Sequence, residues 1–317
     1  MASECETIYA NSVFEQPWWL DIVAEGHWKE VFAYNEDKSR VIGRLPYVIK
    51  NGVISRPVYT QTLGMWVEPS LRIKQRGNEH WSSQKNIYQN LIEQIPTCRS
   101  IDFVFDSSVE YILPFRWLGY RIEPTFSYRI NNIHNIDDVR MNYSKGVKRD
   151  INRGNKKMIL DDSDKSINDF IELQNLTYKR QGRSSPTDNS ITYDVINKTL
   201  HKGHGKLLIA RDENGIAHSG SFLVFDKRVC YLIMSGQNTE FGNDGAMPFI
   251  LDRSICFASK VSEAFDFEGS MIEGIEQVYR RYGGIQVINW HVCKQGVLGD
   301  IKDVLKPRIK RIIGYRI

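Results

Sequence analysis

One stretch of this chain occurs twice. Ile101 to Ile130 and Phe265 to Lys294 line up at an offset of 164 residues, the step from Asp102 to Asp266. The offset matches Asp102-Phe103 with Asp266-Phe267, Phe115-Arg116 with Tyr279-Arg280, and Gly119 with Gly283. Each copy reads as strand, helix, glycine, strand. In the second copy, Phe265 to Glu268 alternates apolar and acidic residues as a short half-buried strand does. Gly269-Ser270 interrupts it. Ile272 to Tyr282 then puts Ile275, Val278, Tyr279 and Tyr282 on one side of a helix. Gly283-Gly284 supplies a C-terminal glycine stop, and Ile285 to Val292 alternates again. Upstream, the Asn51-Gly52 hairpin signal lies opposite Lys227-Arg228 at an offset of 176, and the change of offset marks an insertion. A duplicated chain must fold as two units of one architecture. Chance identity is the competing account of the match.

The remaining pattern fits that frame. Phe14 to Ala24 reads as a helix with Pro17 in its first turn. Trp28 to Tyr34 and Val41 to Lys50 read as strands, Gln84 to Ile95 as an amphipathic helix, and Val109 to Leu118 as the helix of the first copy. A second unit begins near Ile136. Its helices are expected over Asp138 to Met158, Ser166 to Arg180, Ile191 to His201 and Met247 to Ala258. Three strands in meander order are expected over Lys206 to Arg211, Ala217 to Phe225 and Val229 to Ser235. The tail, Ile301 to Ile317, reads as a basic helix or strand. This is a mixed α/β chain of two domains, residues 1–135 and 136–317, the first being the shorter copy.

Composition narrows the function. Charged residues make up 25% and the net charge is +4, too little to mark a nucleic-acid binder but compatible with anionic substrates. No apolar run approaches the ~18 residues of a membrane span. The five cysteines (Cys5, Cys98, Cys230, Cys256 and Cys293) are scattered and odd in number, which points to free thiols and a cytoplasmic protein without a secretion signal.

Several segments together carry a family resemblance. They are Gln16 to Leu20, Tyr59 to Trp66, Lys145 to Ile151, Tyr178 to Gly182, Phe265 to Ser270 and Glu276 to Gly283. In this order they resemble the GNAT acyltransferase fold, specifically its FemABX-like branch with tandem GNAT domains. The resemblance spans most of the chain and rests on the order of the segments, since no single motif is diagnostic. It implies two tandem GNAT-like domains and transfer of an acyl group to an amine. The implied donor is an acyl-coenzyme A co-substrate, or, as in the FemABX branch, an aminoacyl-tRNA serving cell-wall peptide assembly. The implied acceptor is a small molecule, sugar or peptide that can carry phosphate. A duplicated fold that has lost catalysis and only binds a ligand is a third reading. Three departures from the family bear on the donor. The helical arm of some aminoacyl-tRNA-using members has no counterpart. Glu240 to Ala246 is one residue longer than the glycine-rich phosphate loop of the fold. A lysine common in the last helix of FemABX enzymes is replaced by Tyr279, Arg280 or Arg281.

The candidate residues follow. Glu268, at a strand end, is a candidate base for the attacking amine, and Tyr279 a candidate acid for the leaving group. Both also read as ordinary residues of a strand end and a core face. Gly242, Asn243, Gly245 and Ala246 join a strand to a helix, where free N–H groups and the helix dipole suit the donor phosphate. A plain loop with Asp244 as N-cap is the alternative. On the phosphate reading, Gly245→Val blocks the donor and leaves the core untouched. Arg280 and Arg281 are candidates for an acceptor phosphate. Gln61 and Trp66 are candidates to line an acceptor cleft between the copies. The C-terminal copy is expected to bind donor and catalyse, the first to bind acceptor or to support. Lys148, Arg149 and Arg153 form a basic helix face. His201 and His204 lack the further ligands of a zinc site, so no metal is expected.

Overall fold

The computed structural model describes residues 6–72, 78–269 and 273–295, without the side chains of 78–80. Cys5, Ser270, Met271, Ile272 and the basic tail therefore lie outside the described residues. In chain order the elements are α1 (Pro17–Val23), β1 (Trp28–Tyr34), β2 (Val41–Lys50), β3 (Val53–Ile54), β4 (Trp66–Val67), α2 (Asn78–Glu93), β5 (Ser100–Phe105), α3 (Leu113–Trp117) and β6 (Arg121–Asn131). There follow α4 (Ile136–Met141), α5 (Lys145–Asn155), β7 (Ile159–Asp161), α6 (Ile167–Arg180), α7 (Asn189–His201), β8 (Gly205–Arg211), β9 (Ala217–Phe225) and β10 (Val229–Gln237). The chain closes with α8 (Ala246–Val261), β11 (Ala264–Asp266), α9 (Glu273–Arg281) and β12 (Ile285–Gln295).

Two expected helices are broken. The first gives way to a 3-10 turn, Val13–Glu15, with Gln16 extended before α1. The basic one splits into α4 and α5, because Asn135 and Ser144 each cap a helix of their own.

Two compact units emerge, residues 1–125 with 289–317, and residues 126–288. These bounds differ from the halves 1–135 and 136–317 because the last strand of each copy is exchanged. In the first unit the strand order is β1-β2-β3-β5-β12, with β4 on β2. In the second it is β6-β11-β10-β9-β8-β7. β5 runs parallel to β3 and antiparallel to β12, and β11 runs parallel to β10 and antiparallel to β6. The registers also agree. Cys293 pairs with Asp102 and Lys294 with Ile101; 164 residues along, Asp266 pairs with Arg129 and Phe265 with Ile130. The hairpins match at 176, with Ile49 opposite Ile54 in one and Phe225 opposite Cys230 in the other. The fold is thus two units of one topology, each closed by the other copy's final strand.

Each unit has its own core. Phe103, Phe105, Phe115, Tyr88, Leu45 and Val292 centre the first; Phe265, Phe267, Leu232, Ile250, Ile255 and Tyr282 centre the second. In the second unit, α6 and α8 cover opposite faces of the sheet. Phe170 of α6 lies over Gly220 of β9, while Ser254 of α8 meets Ser221, the next residue, at 2.7 Å. Cys98, Cys230, Cys256 and Cys293 are free thiols. Among the described residues no helix is long and apolar enough to cross a membrane.

In the first unit His291 meets Asp102 at 3.0 Å and Glu123 at 3.7 Å. The hydrogen bond to Asp102, against partial burial, raises the imidazole above its ordinary value. Burial pushes Asp102 the other way, yet the His291 bond and charge hold its carboxyl below the usual range. A histidine raised on folding stabilises fully below its unfolded pKa of about 6.5, and that contribution fades as pH rises through the folded value. NMR of the ring protons should show His291 titrating above free histidine, and Asp102→Asn should lower it. Titration at or below the free value would remove the pair.

Candidate active site

β11 ends in an unusual turn. Glu268 has φ +60° and Gly269 φ +45°, so two successive residues are left-handed. A glutamate held there costs about 1–3 kcal/mol and persists only where the surroundings enforce it. They do. A side chain at Gly269 would strike the Phe126 carbonyl oxygen at 2.0 Å, which restricts that position to glycine. The Glu268 N–H donates to Asp266 Oδ1 at 2.8 Å. Asp266 is fully buried, accepts from Ser127 Oγ, and accepts from Arg129 Nε at 2.9 Å. The half-buried Glu268 is therefore aimed by a carboxylate two residues before it. Asp266 was not among the expected site residues. Its match to Asp102 in the repeat was the available signal.

Tyr279 stacks on Phe267 at 4.6 Å, which fixes the ring. Burial and the nearby Glu268 and Asp266 carboxylates push its phenol well above the usual value, so it stays protonated at neutral pH. Tyr279 also lines a cavity of about 210 Å³ with Leu232, Ser235, Met247, Leu251 and Arg180. The structure thus places the expected base near the expected acid, and the acid lines a small hollow, all in the second unit.

The expected phosphate loop packs against α5 at Gly245. Gly245, with φ +88°, caps α8, but a Cβ on it would lie 2.5 Å from the Asp150 carbonyl oxygen and 2.6 Å from the Gly154 nitrogen of α5. The Ala246 N–H is already taken by Asp244 Oδ1 at 2.8 Å, and Pro248 has none to offer. Asp244 is itself buried and bonded to His218 Nδ1 at 2.5 Å, with Phe241 stacked on the imidazole at 3.8 Å. Arg153 closes the other side by donating to the Asn243 carbonyl at 2.8 Å. Gly242 and Asn243 remain at the surface, but Gly245 and Ala246 face α5 and a buried negative charge. Asp244 and α5 thus crowd one side of this helix start. The expectation that Gly245→Val spares the core is corrected on the same ground.

The other candidates are scattered. Arg280 is exposed and meets Glu276 at 3.5 Å; Arg281 is exposed. Lys148 donates to the Met141 carbonyl, and Arg149 and Arg153 flank Asp150. In the first unit, Gln61 is half-buried and its carbonyl accepts from Arg56, while Trp66 is buried against Tyr9. The ring nitrogens of His201 and His204 engage the Asn197 and Phe225 carbonyls.

No family model and no curated protein matches the sequence with significance. The fold does match solved structures. A structure of FemX aligns with a TM-score of 0.65 at 13% identity, over 88% of this chain and 91% of that one. The C-terminal domain of a putative lysylphosphatidylglycerol synthetase from Agrobacterium fabrum aligns with a TM-score of 0.55 at 7% identity, over 96% and 93%. L-PGS from Bacillus licheniformis gives 0.53 at 10%, over 90% of each. At these identities the likeness is one of fold, and the fold is like that of FemX and the lysylphosphatidylglycerol synthetase domain.

Proposed function

We propose that this chain transfers an acyl group to an amine by direct attack. The observation that carries the reading is the left-handed Glu268, braced by Asp266 and near the protonated Tyr279 phenol, which itself lines the small cavity. In this scheme Glu268 takes a proton from the attacking ammonium. The nitrogen forms its bond to the acyl carbon, the donor's ester or thioester bond breaks, Tyr279 protonates the leaving group, and the nitrogen's second proton passes to the Tyr279 phenolate, leaving a neutral amide. No covalent enzyme intermediate is needed. Arg280 and Arg281 are exposed cations available to an acceptor phosphate, and in the first unit Gln61 is better exposed to a ligand than the packed Trp66.

The donor divides the reading in two. Acyl-coenzyme A needs a pyrophosphate site, and the start of α8 is closed by Asp244 and α5. That closure supports an aminoacyl ester as donor, in the manner of an aminoacyl-tRNA-dependent transferase, over coenzyme A. The test supplies the full-length protein with labelled acetyl-coenzyme A or labelled aminoacyl-tRNA and a panel of amines. Glu268→Gln should lower the turnover of the accepted donor by roughly 10²-fold or more, as loss of a positioned base does, with the melting temperature unchanged. Transfer from neither donor, or full turnover by the glutamine variant, would sink the proposal.

A further inference from the structure

The first unit carries an aromatic patch that the transfer chemistry does not use. Trp117 is 60% exposed, Leu113 52% and Trp81 43%. Leu113 and Trp117 stand four apart on α3, so they share a face. Trp81 of α2 reaches the same place through Tyr111, whose ring lies 4.6 Å from Trp81 and 6.4 Å from Trp117. These side chains are not loose. Tyr111 contacts Tyr88, Tyr88 contacts Phe115, and Phe115 contacts Phe105 at the centre of the core. A ladder of rings therefore runs from the core to the surface and ends in two exposed tryptophans. Large apolar side chains set side by side at the surface mark an interaction site, whereas isolated ones do not.

The rim is basic. Lys85 Nζ lies 5.5 Å over the Trp117 ring, and Arg116 is exposed between Leu113 and Trp117. Lys294 Nζ lies 5.1 Å over Tyr120 and donates to the Leu118 carbonyl at the end of α3. Glu110 is the exposed acid that precedes α3. Indole rings, leucine and flanking cations have one natural medium. The rings and leucine favour the boundary between acyl chains and headgroups, while lysine and arginine favour anionic headgroups.

The geometry points to peripheral docking of this face on an anionic bilayer, with Trp81, Leu113 and Trp117 entering the interface and Lys85, Arg116 and Lys294 meeting lipid phosphate. The patch is independent of the donor and of the active site. The test is co-sedimentation of the full chain with phosphatidylcholine vesicles with and without phosphatidylglycerol. Binding should require phosphatidylglycerol and weaken with salt. A Trp81→Ala, Trp117→Ala double variant should lower the partition coefficient by about tenfold or more. It should melt close to the parent, because both side chains are exposed. Lys85→Glu with Arg116→Glu should weaken binding to the anionic vesicles. Three outcomes would overturn the proposal. One is no sedimentation with either lipid. The second is binding that survives the patch variants and disappears when 296–317 is removed. The third is a parent dimer that the tryptophan variant dissociates, with no vesicle binding, which would assign the face to a second copy of the chain.

Discussion

Gly245→Val should lower the melting temperature of the second unit by roughly 5–20 °C, taking about 2–4 °C per kcal/mol for a domain of this size. Two costs add. The left-handed φ of +88° disfavours any β-carbon by about 1–2 kcal/mol, and most of all a branched one. Overpacking adds about 1–3 kcal/mol, because the nearest atoms are α5 backbone that cannot rotate away. Gly154 meets the same contact from the other side, where a Cβ would lie 2.5 Å from the Gly245 carbonyl oxygen and 2.7 Å from Phe249 Cβ. Gly242→Ala is the control. Its φ is also positive, at +65°, but nothing lies within 4 Å, so only the backbone term applies. Thermal denaturation should rank valine at 245 far below alanine at 242. Equal melting temperatures would mean that α5 and α8 do not approach as described.

Asp266→Ala should both destabilise the second unit and stop the proposed transfer. The carboxylate is fully buried and its partner Arg129 is only 14% exposed, so removing one charge strands the other. Breaking such a pair costs about 3–5 kcal/mol. The Glu268 N–H also loses its acceptor, and with it the bond that holds the left-handed turn. The variant should therefore melt well below the parent and, at temperatures where it remains folded, turn over no faster than Glu268→Gln. Asp266→Asn keeps one acceptor oxygen and should recover part of the stability. An alanine variant with the parent's melting temperature would show that the network contributes nothing, and one with the parent's turnover would separate Asp266 from the reaction.

Much of the architecture was legible before any coordinates. The repeated Asp-Phe pair, the glycines after each helix and the alternation on either side were enough for two like units. The exchange of β6 and β12 was not legible. Alternation says that Ile285 to Val292 is a strand and which residues share a face, but it carries no name for the neighbouring strand. The break at Asn142 to Ser144 was hidden for another reason. Lys, Arg and Asn continue a helical pattern readily, and only Ser144 accepting from the Val147 N–H starts a new helix. At the candidate site, Glu268 and Tyr279 were legible as residue types at a strand end and on a helix. The closed start of α8 was not. Asp244 reads as a cap, but its histidine partner lies 26 positions away and the helix above it 90 or more, beyond any local rule.

The exchanged strands set an order in time as well as in space. On the ribosome, β5 is complete at Phe105, but its partner across one edge, Trp290, is made 185 residues later (290 − 105). At 5–20 residues per second that edge waits roughly 10–40 s for β12. The second unit does not wait in this way, since β6 precedes β11 and every strand of its sheet lies between residues 121 and 266. The first unit's sheet is thus completed after the second unit's. Until then the row of N–H and C=O groups along β5 is an open edge, the feature that pairs with foreign strands when nothing shields it.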